Sequence, residues 1–232
     1  MKIRLFLKES LENGKKIILN KEQSHYLTIV LRLKNGESIF VFTEGVEYEA
    51  IVFLHNKTCI LHLQKQIRYE EEDEIKVTLA FSLIKNNALS ELLNNATQVG
   101  VNNFIPLITK HSSVNFFNKE RAEKIIIEAC EQSERLYIPK IFEPIKLENF
   151  ILNHQKPIIF CDELNAKNEK TFKHLNKEST ILIGPEGGFA REERDLINSK
   201  ANIINISLGK NILRAEVAAV CATFLVKNKS FE

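Results

Sequence analysis

The sequence predicts an α/β protein of two domains: a small amino-terminal β-barrel and a larger carboxyl-terminal domain around a mainly parallel sheet. Three observations carry this expectation. Residues 1–70 hold several short alternating strands at close spacing, as small barrels do. Five consecutive acids, Glu70-Glu71-Glu72-Asp73-Glu74, then interrupt the pattern as a solvated linker. Beyond them, apolar runs alternate with helical stretches, which is the rhythm of a parallel sheet covered on both faces.

Residues 3–7 alternate as a strand, and only residues 24–33 of the first domain look helical. Asn35-Gly36 marks a turn before a strand over 38–42. Strands over 47–54 and 58–63 flank a short turn and form a hairpin. The boundary is drawn at the acidic run, giving domains of residues 1–72 and 73–232. A strand over 76–81 is followed by a helix over 87–99 and a strand over 103–107. Asn118 is placed to cap a long helix reaching residue 135. Strands over 157–160 and 180–183, a helix over 191–198, a strand over 203–206 and a final helix over 214–227 complete the chain. That last helix is apolar nearly all round, so it is buried either in the core or against a second subunit.

Composition bounds the partners. The net charge of +2 speaks against a histone-like binder, but Lys2, Arg4, Lys8, Lys15, Lys16, Lys21, Arg32 and Lys34 face only three glutamates within residues 1–34. That asymmetry hints at a polyanion, with scattered solvated lysines as the plainer reading. The four cysteines are far apart and form no CxxC pair, which fits buried free thiols in a reducing cytoplasm. No apolar run reaches membrane-spanning length, and the amino terminus leads into a strand rather than a signal peptide.

Two strand-to-helix turns hold the chemistry. Gly184-Pro185-Glu186-Gly187-Gly188-Phe189 follows one apolar strand, and Leu208-Gly209-Lys210-Asn211-Ile212-Leu213-Arg214-Ala215-Glu216 follows another. The first is neither a P-loop nor GxGxxG, so it reads as a tight turn or as backbone opened to a ligand. In the second, Arg214 opens an apolar helix. Either it forms a structural ion pair with Glu186 or Glu216, or it recognises a substrate. His55, Cys59 and His62 have a zinc-like spacing, but Cys59 and His62 fall on opposite faces of one strand, which speaks against a metal site. Glu128-Ala129-Cys130-Glu131-Gln132-Ser133-Glu134-Arg135 reads as a solvated helix end, or as a polar network beneath an active site.

With these residues in view, the chain resembles the ribosomal RNA small subunit methyltransferase E family of the SPOUT superfamily. The resemblance runs over essentially the whole chain. It rests on GPEGGF with Glu193 downstream, LGKNILRAE, EACEQSER with Pro139 after it, and Arg4 with the segment from His25 to Arg32. It implies a PUA-like β-barrel that grips RNA and a SPOUT α/β domain whose deep trefoil knot binds S-adenosylmethionine. It also implies methylation of N3 of a uridine in 16S rRNA, as naked RNA or within the 30S subunit, by a cytoplasmic homodimer with no metal and no membrane. The rival is a silent RNA-binding scaffold. A nucleotide-binding oxidoreductase is disfavoured by the missing fingerprint.

On the same resemblance, Ile183, Gly184, Pro185, Gly187, Gly188, Ile206, Ser207, Leu208, Gly209 and Leu213 would hold the cofactor. Arg214, Glu186 and Glu216 are the catalytic candidates. Lys2, Arg4, Lys15, Lys16, His25, Arg32 and Lys34 are the RNA-binding ones. Two departures stand out. Val217 replaces a usual Thr, and Asn95-Ala96-Thr97-Gln98-Val99-Gly100 replaces Lys-Ala-x-Glu-Leu-Gly, removing a supporting ion pair.

Overall fold

The computed structural model describes residues 2–55, 58–114, 116–162 and 178–228. The chain divides into two units, one of Met1–Glu72 with Cys130–Tyr137 and one of Asp73–Ala129 with Ile138–Glu232. The boundary expected at the acidic run assigns Cys130–Tyr137 to the second domain, whereas the segment groups with the first unit.

In the first unit, β1 (Arg4–Phe6), β2 (Lys16–Ile18), β3 (Ser38–Thr43), β4 (Val46–His55) and β5 (Thr58–Tyr69) form a sheet in the order β1-β3-β4-β5-β2. Period-2 alternation drives it: Ile39, Val41, Ala50, Val52, Cys59, Leu61 and Leu63 are all buried in one core. Cys59 lies in that core, while His62 stacks on Phe53 at 4.2 Å. The two-residue loop Glu44-Gly45 has both residues at positive φ, the geometry that matches strand twist in a tight hairpin. Gly45 is required there twice over, since a Cβ would come within 2.6 Å of the Glu70 carbonyl. The expected helix over 24–33 begins earlier, as α1 (Lys21–His25), with the Asn20 side chain accepting from the Gln23 amide. It continues as a π-helical turn, Tyr26–Val30, and stops before Arg32, whose φ is 55°.

Arg4, an RNA-binding candidate, is instead buried, its side chain 3% exposed, and ion-paired to Glu47 and Glu134. A guanidinium so enclosed needs carboxylates around it. Glu131 accepts the Phe6 amide at 2.9 Å, and Tyr137 donates to the Glu70 carbonyl at 3.2 Å. The polar EACEQSER segment is thus more than a solvated helix end. Its glutamates satisfy the first unit's arginine and edge amide. Burial pushes the Glu47 carboxyl up, against the lowering pull of Arg4 and Arg68.

In the second unit, β6 (Lys76–Ser82), β7 (Asn103–Ile108), β8 (Lys140–Ile141), β10 (Ile158–Cys161), β11 (Glu178–Ile183) and β12 (Ile203–Ile206) make a parallel sheet ordered β12-β10-β11-β6-β7-β8, with β9 (Ile145–Lys146) on β7. Successive residues face opposite layers. Leu79, Phe81, Ile181 and Ile183 pack in one core with α2 (Asn86–Gln98) and α6 (Ala215–Lys227). Ala80, Phe160 and Leu182 pack in the other with α4 (Leu147–Asn153) and α5 (Arg191–Asn198). Both faces are covered, as the near-continuous apolar strands require. Asn118 caps α3 (Lys119–Ser133) by accepting from the Arg121 amide at 2.9 Å. The final helix is buried along Ala215, Ala219, Ala222 and Val226, but it leaves Val217, Phe224 and Leu225 exposed. Asn95 and Gln98, at positions departing from the family pattern, are also exposed.

Candidate active site

The parallel order brings the carboxyl ends of β10, β11 and β12 side by side, which is where open α/β sheets place ligands. The ends of β11 and β12 continue into loops that their residues force open. After β11, Gly184 has no room for a side chain: a Cβ would meet Phe189 Cε2 at 2.8 Å. The chain then turns, with the Gly188 amide donating to the Pro185 carbonyl at 2.9 Å and Gly188 held at φ 69°. Phe189, 8% exposed, packs edge-on to Phe160 with ring centroids 5.5 Å apart. Ala190 caps α5 without a side-chain oxygen, and Glu193 reaches back to accept its amide at 2.9 Å, half of a capping box.

After β12, Ser207 Oγ accepts the Gly209 amide at 3.3 Å, and Gly209 sits at φ 118°. The backbone N–H groups of Leu208, Ile212 and Leu213 find no acceptor among the described residues, so this loop offers main-chain donors to a ligand. Arg214 is the N-cap of α6 in extended conformation, and its guanidinium is exposed.

The two loops enclose adjoining cavities of about 220 and 70 Å³. Ile183, Gly184, Pro185, Glu186, Gly188 and Arg214 line the larger, and Ile206, Ser207, Leu208 and Gly209 the smaller. Leu213, Ile212, Cys161 and Ala218 line both. Together they approach the lower end of the volume range for small-molecule sites. Of the ten cofactor candidates, Gly187 lines neither cavity; it packs on His111 instead. Glu216 is buried and also lies outside both, so of the catalytic candidates only Arg214 and Glu186 reach the cavity wall. None of the three forms an ion pair among the described residues, and Arg214 therefore faces the cavity uncompensated.

Three further residues belong to this region. Asp162, its side chain fully buried, ends β10 at the wall of the smaller cavity and is ion-paired to Arg194. Burial pushes the Cys161 thiol up, so it acts as a neutral wall rather than a nucleophile. His111, after β7, accompanies the glycine loop. The only signal available for Asp162 and His111 was their place just past a strand end.

Among the other RNA-binding candidates, Lys2 pairs with Glu49 and lies 4.3 Å from the Phe40 ring centroid, and Lys15 donates to the Ser10 carbonyl. Lys16, His25, Arg32 and Lys34 are exposed in the first unit. The described residues contain no group of three or more His, Cys, Asp or Glu side chains placed to hold a metal, and no helix long and apolar enough to cross a membrane.

The RNA methyltransferase domain family matches residues 71–227, and the RNA methyltransferase PUA domain family matches residues 19–64. A Rickettsia conorii protein named ribosomal RNA small subunit methyltransferase E is 34% identical over 97% of this chain and 94% of its own length. A Buchnera aphidicola protein of the same name is 32% identical over 94% and 90%. A solved methyltransferase of Legionella pneumophila, in complex with bound S-adenosylmethionine, superposes with a TM-score of 0.89 at 26% identity over 99% of this chain and 98% of that one. A ribosomal RNA small subunit methyltransferase E from Neisseria gonorrhoeae, bound to S-adenosylmethionine, shares the fold with a TM-score of 0.85 at 24% identity over 96% and 95%.

Proposed function

This chain belongs to the ribosomal RNA small subunit methyltransferase E family, and on that premise we propose that it transfers a methyl group from S-adenosylmethionine to N3 of a uridine in 16S rRNA. The observation that carries the reading is the pair of cavities between two post-strand loops, with an uncompensated arginine at the wall.

S-adenosylmethionine, when bound, supplies a methyl group on a positively charged sulfur, which is electrophilic by itself. The residues present suit such a ligand. Ile183, Phe189, Leu213 and Ala218 would offer an apolar wall to its purine, and the free amides of Leu208, Ile212 and Leu213 would meet its polar edges. Gly184 and Gly188 let the main chain approach closely. Arg214 would hold the negative charge that grows on the uracil oxygens as N3 loses its proton. Glu186, exposed at the rim, would take that proton. Glu216, buried and outside both cavities, is left without a part in the transfer. Alignment of donor and acceptor supplies much of the remaining rate.

The same proposal extends to architecture and partners. β12 lies beside β10 at the sheet edge, yet α6 packs against β11, β6 and α2. The chain therefore recrosses the sheet past β10, which supports the deep trefoil knot. The apolar residues Val217, Phe224 and Leu225 exposed on α6 support a homodimer. Lys16, His25, Arg32 and Lys34 would contact RNA phosphates in a cytoplasmic enzyme. The deciding experiment offers labelled S-adenosylmethionine with 16S rRNA or 30S subunits from a strain lacking the modification, then maps the product by nucleoside mass spectrometry. Label in 3-methyluridine supports the reading. RNA binding without methyl transfer identifies a silent scaffold, and label at another atom overturns the N3 assignment.

A further inference from the structure

We propose that His111 is a positioning residue for the glycine loop, holding the Gly188 carbonyl and with it the left-handed turn that shapes the larger cavity. The inference rests on the proposed cofactor site. His111 Nδ1 lies 3.0 Å from the Gly188 carbonyl oxygen. A carbonyl can only accept, so the ring carries its proton on Nδ1. The stem of the side chain packs on Gly187, with His111 Cβ 3.6 Å from where a Gly187 Cβ would stand. Gly188 is therefore fixed at both ends of its residue: its amide donates to Pro185, and its carbonyl accepts from His111. That double hold matters because φ of 69° is a conformation a free glycine samples among many.

The segment bearing His111 is itself held by hydrogen bonds. The hydroxyls of Ser82, Thr109 and Ser112 bond to one another at 2.6, 3.1 and 3.2 Å, and Ser112 Oγ accepts the Thr109 amide at 2.9 Å. Glu193, 7% exposed, accepts the Lys110 amide on one oxygen at 2.7 Å and the Ala190 amide on the other at 2.9 Å. The loop after β7 thus grips the glycine loop on either side of Phe189, through His111 at Gly188 and through Glu193 at Ala190. His111 is exposed, so its truncation leaves the core packing intact.

The test is a set of three variants assayed by calorimetry with S-adenosylmethionine, steady-state kinetics and thermal unfolding. His111→Ala should raise Kd and KM for S-adenosylmethionine by about five- to tenfold, the worth of one hydrogen bond, while kcat changes by less than about twofold and Tm hardly moves. His111→Asn places an amide nitrogen where Nδ1 stands and should restore most of the affinity. His111→Gln reaches instead to the Nε2 position and should not. Wild-type affinity in His111→Ala, or equal behaviour of the Asn and Gln variants, would overturn the proposal. A wild-type chain that binds no S-adenosylmethionine would defeat the cofactor-site reading instead. The brace would then be tested by amide hydrogen exchange at Gly187–Phe189, expected faster in His111→Ala and normal in His111→Asn; equal exchange in all three would end it.

Discussion

Replacing Gly184 by alanine puts one methyl group into the tightest point of the candidate site. The new Cβ would lie 2.8 Å from Phe189 Cε2 and 3.1 Å from Cδ2. The ring cannot simply retreat, because it is almost fully buried and packs edge-on against Phe160, itself in the core. Either the aromatic pair repacks or the glycine loop moves into the cavity it walls. Such overpacking costs about 1–3 kcal/mol. If the cavity wall absorbs it, the affinity for S-adenosylmethionine falls by about fivefold to a hundredfold. If the fold absorbs it, Tm drops by roughly 2–12 °C. Gly187→Ala is the internal control: its Cβ makes an ordinary contact at 3.6 Å, and the position lines neither cavity. Calorimetry and thermal unfolding on the two variants read both effects. Wild-type affinity and Tm for Gly184→Ala would refute the reasoning, as would equal losses from both substitutions.

Arg214→Ala should lower turnover by about 10²–10³-fold, the usual loss when a charge-stabilising donor is removed, with Kd for S-adenosylmethionine within about twofold; near-normal turnover would remove Arg214 from the chemistry. Arg4→Met should cost about 3 kcal/mol in urea unfolding, the low end for breaking a buried pair, because the buried Glu47 keeps only the partly exposed Arg68 at 3.4 Å, and Arg4→Met with Glu47→Leu should recover most of it. Equal stability of single and double variants would show that the pair is not energetically coupled. Burial pushes the Cys130 thiol up to about 12. Its neutral form is favoured in the fold, so the contribution is complete below the unfolded thiol's pKa near 8.5 and is lost as pH rises toward 12. Thiol alkylation at pH 8 should therefore leave Cys130 unlabelled until denaturant opens the fold; rapid labelling of the native chain at Cys130 would contradict its burial.

Some of this was legible residue by residue. The runs Leu79-Ala80-Phe81 and Ile181-Leu182-Ile183 announce strands buried on both faces, and each feeds both cores by alternate residues. Gly184, Gly209 and Arg214 stand out because each breaks the local pattern just past such a strand. Other features depend on partners far along the chain. Arg4 looks like a surface cation on an alternating strand until Glu47 and Glu134 close around it. The two-residue strands β8 and β9 are too short to show periodicity. The Glu44-Gly45 hairpin went unseen because glutamate seldom adopts positive φ. His111 and Asp162 gave no pattern at all, since their roles arise only when the sheet order sets their strand ends beside the glycine loop.

A crystal structure grown with S-adenosylmethionine tests the central claim most directly. The expected result is the sulfonium ligand lodged between Gly184–Gly188 and Leu208–Leu213, with its methyl group turned toward Arg214. Density for the ligand at any other place on the chain would contradict it.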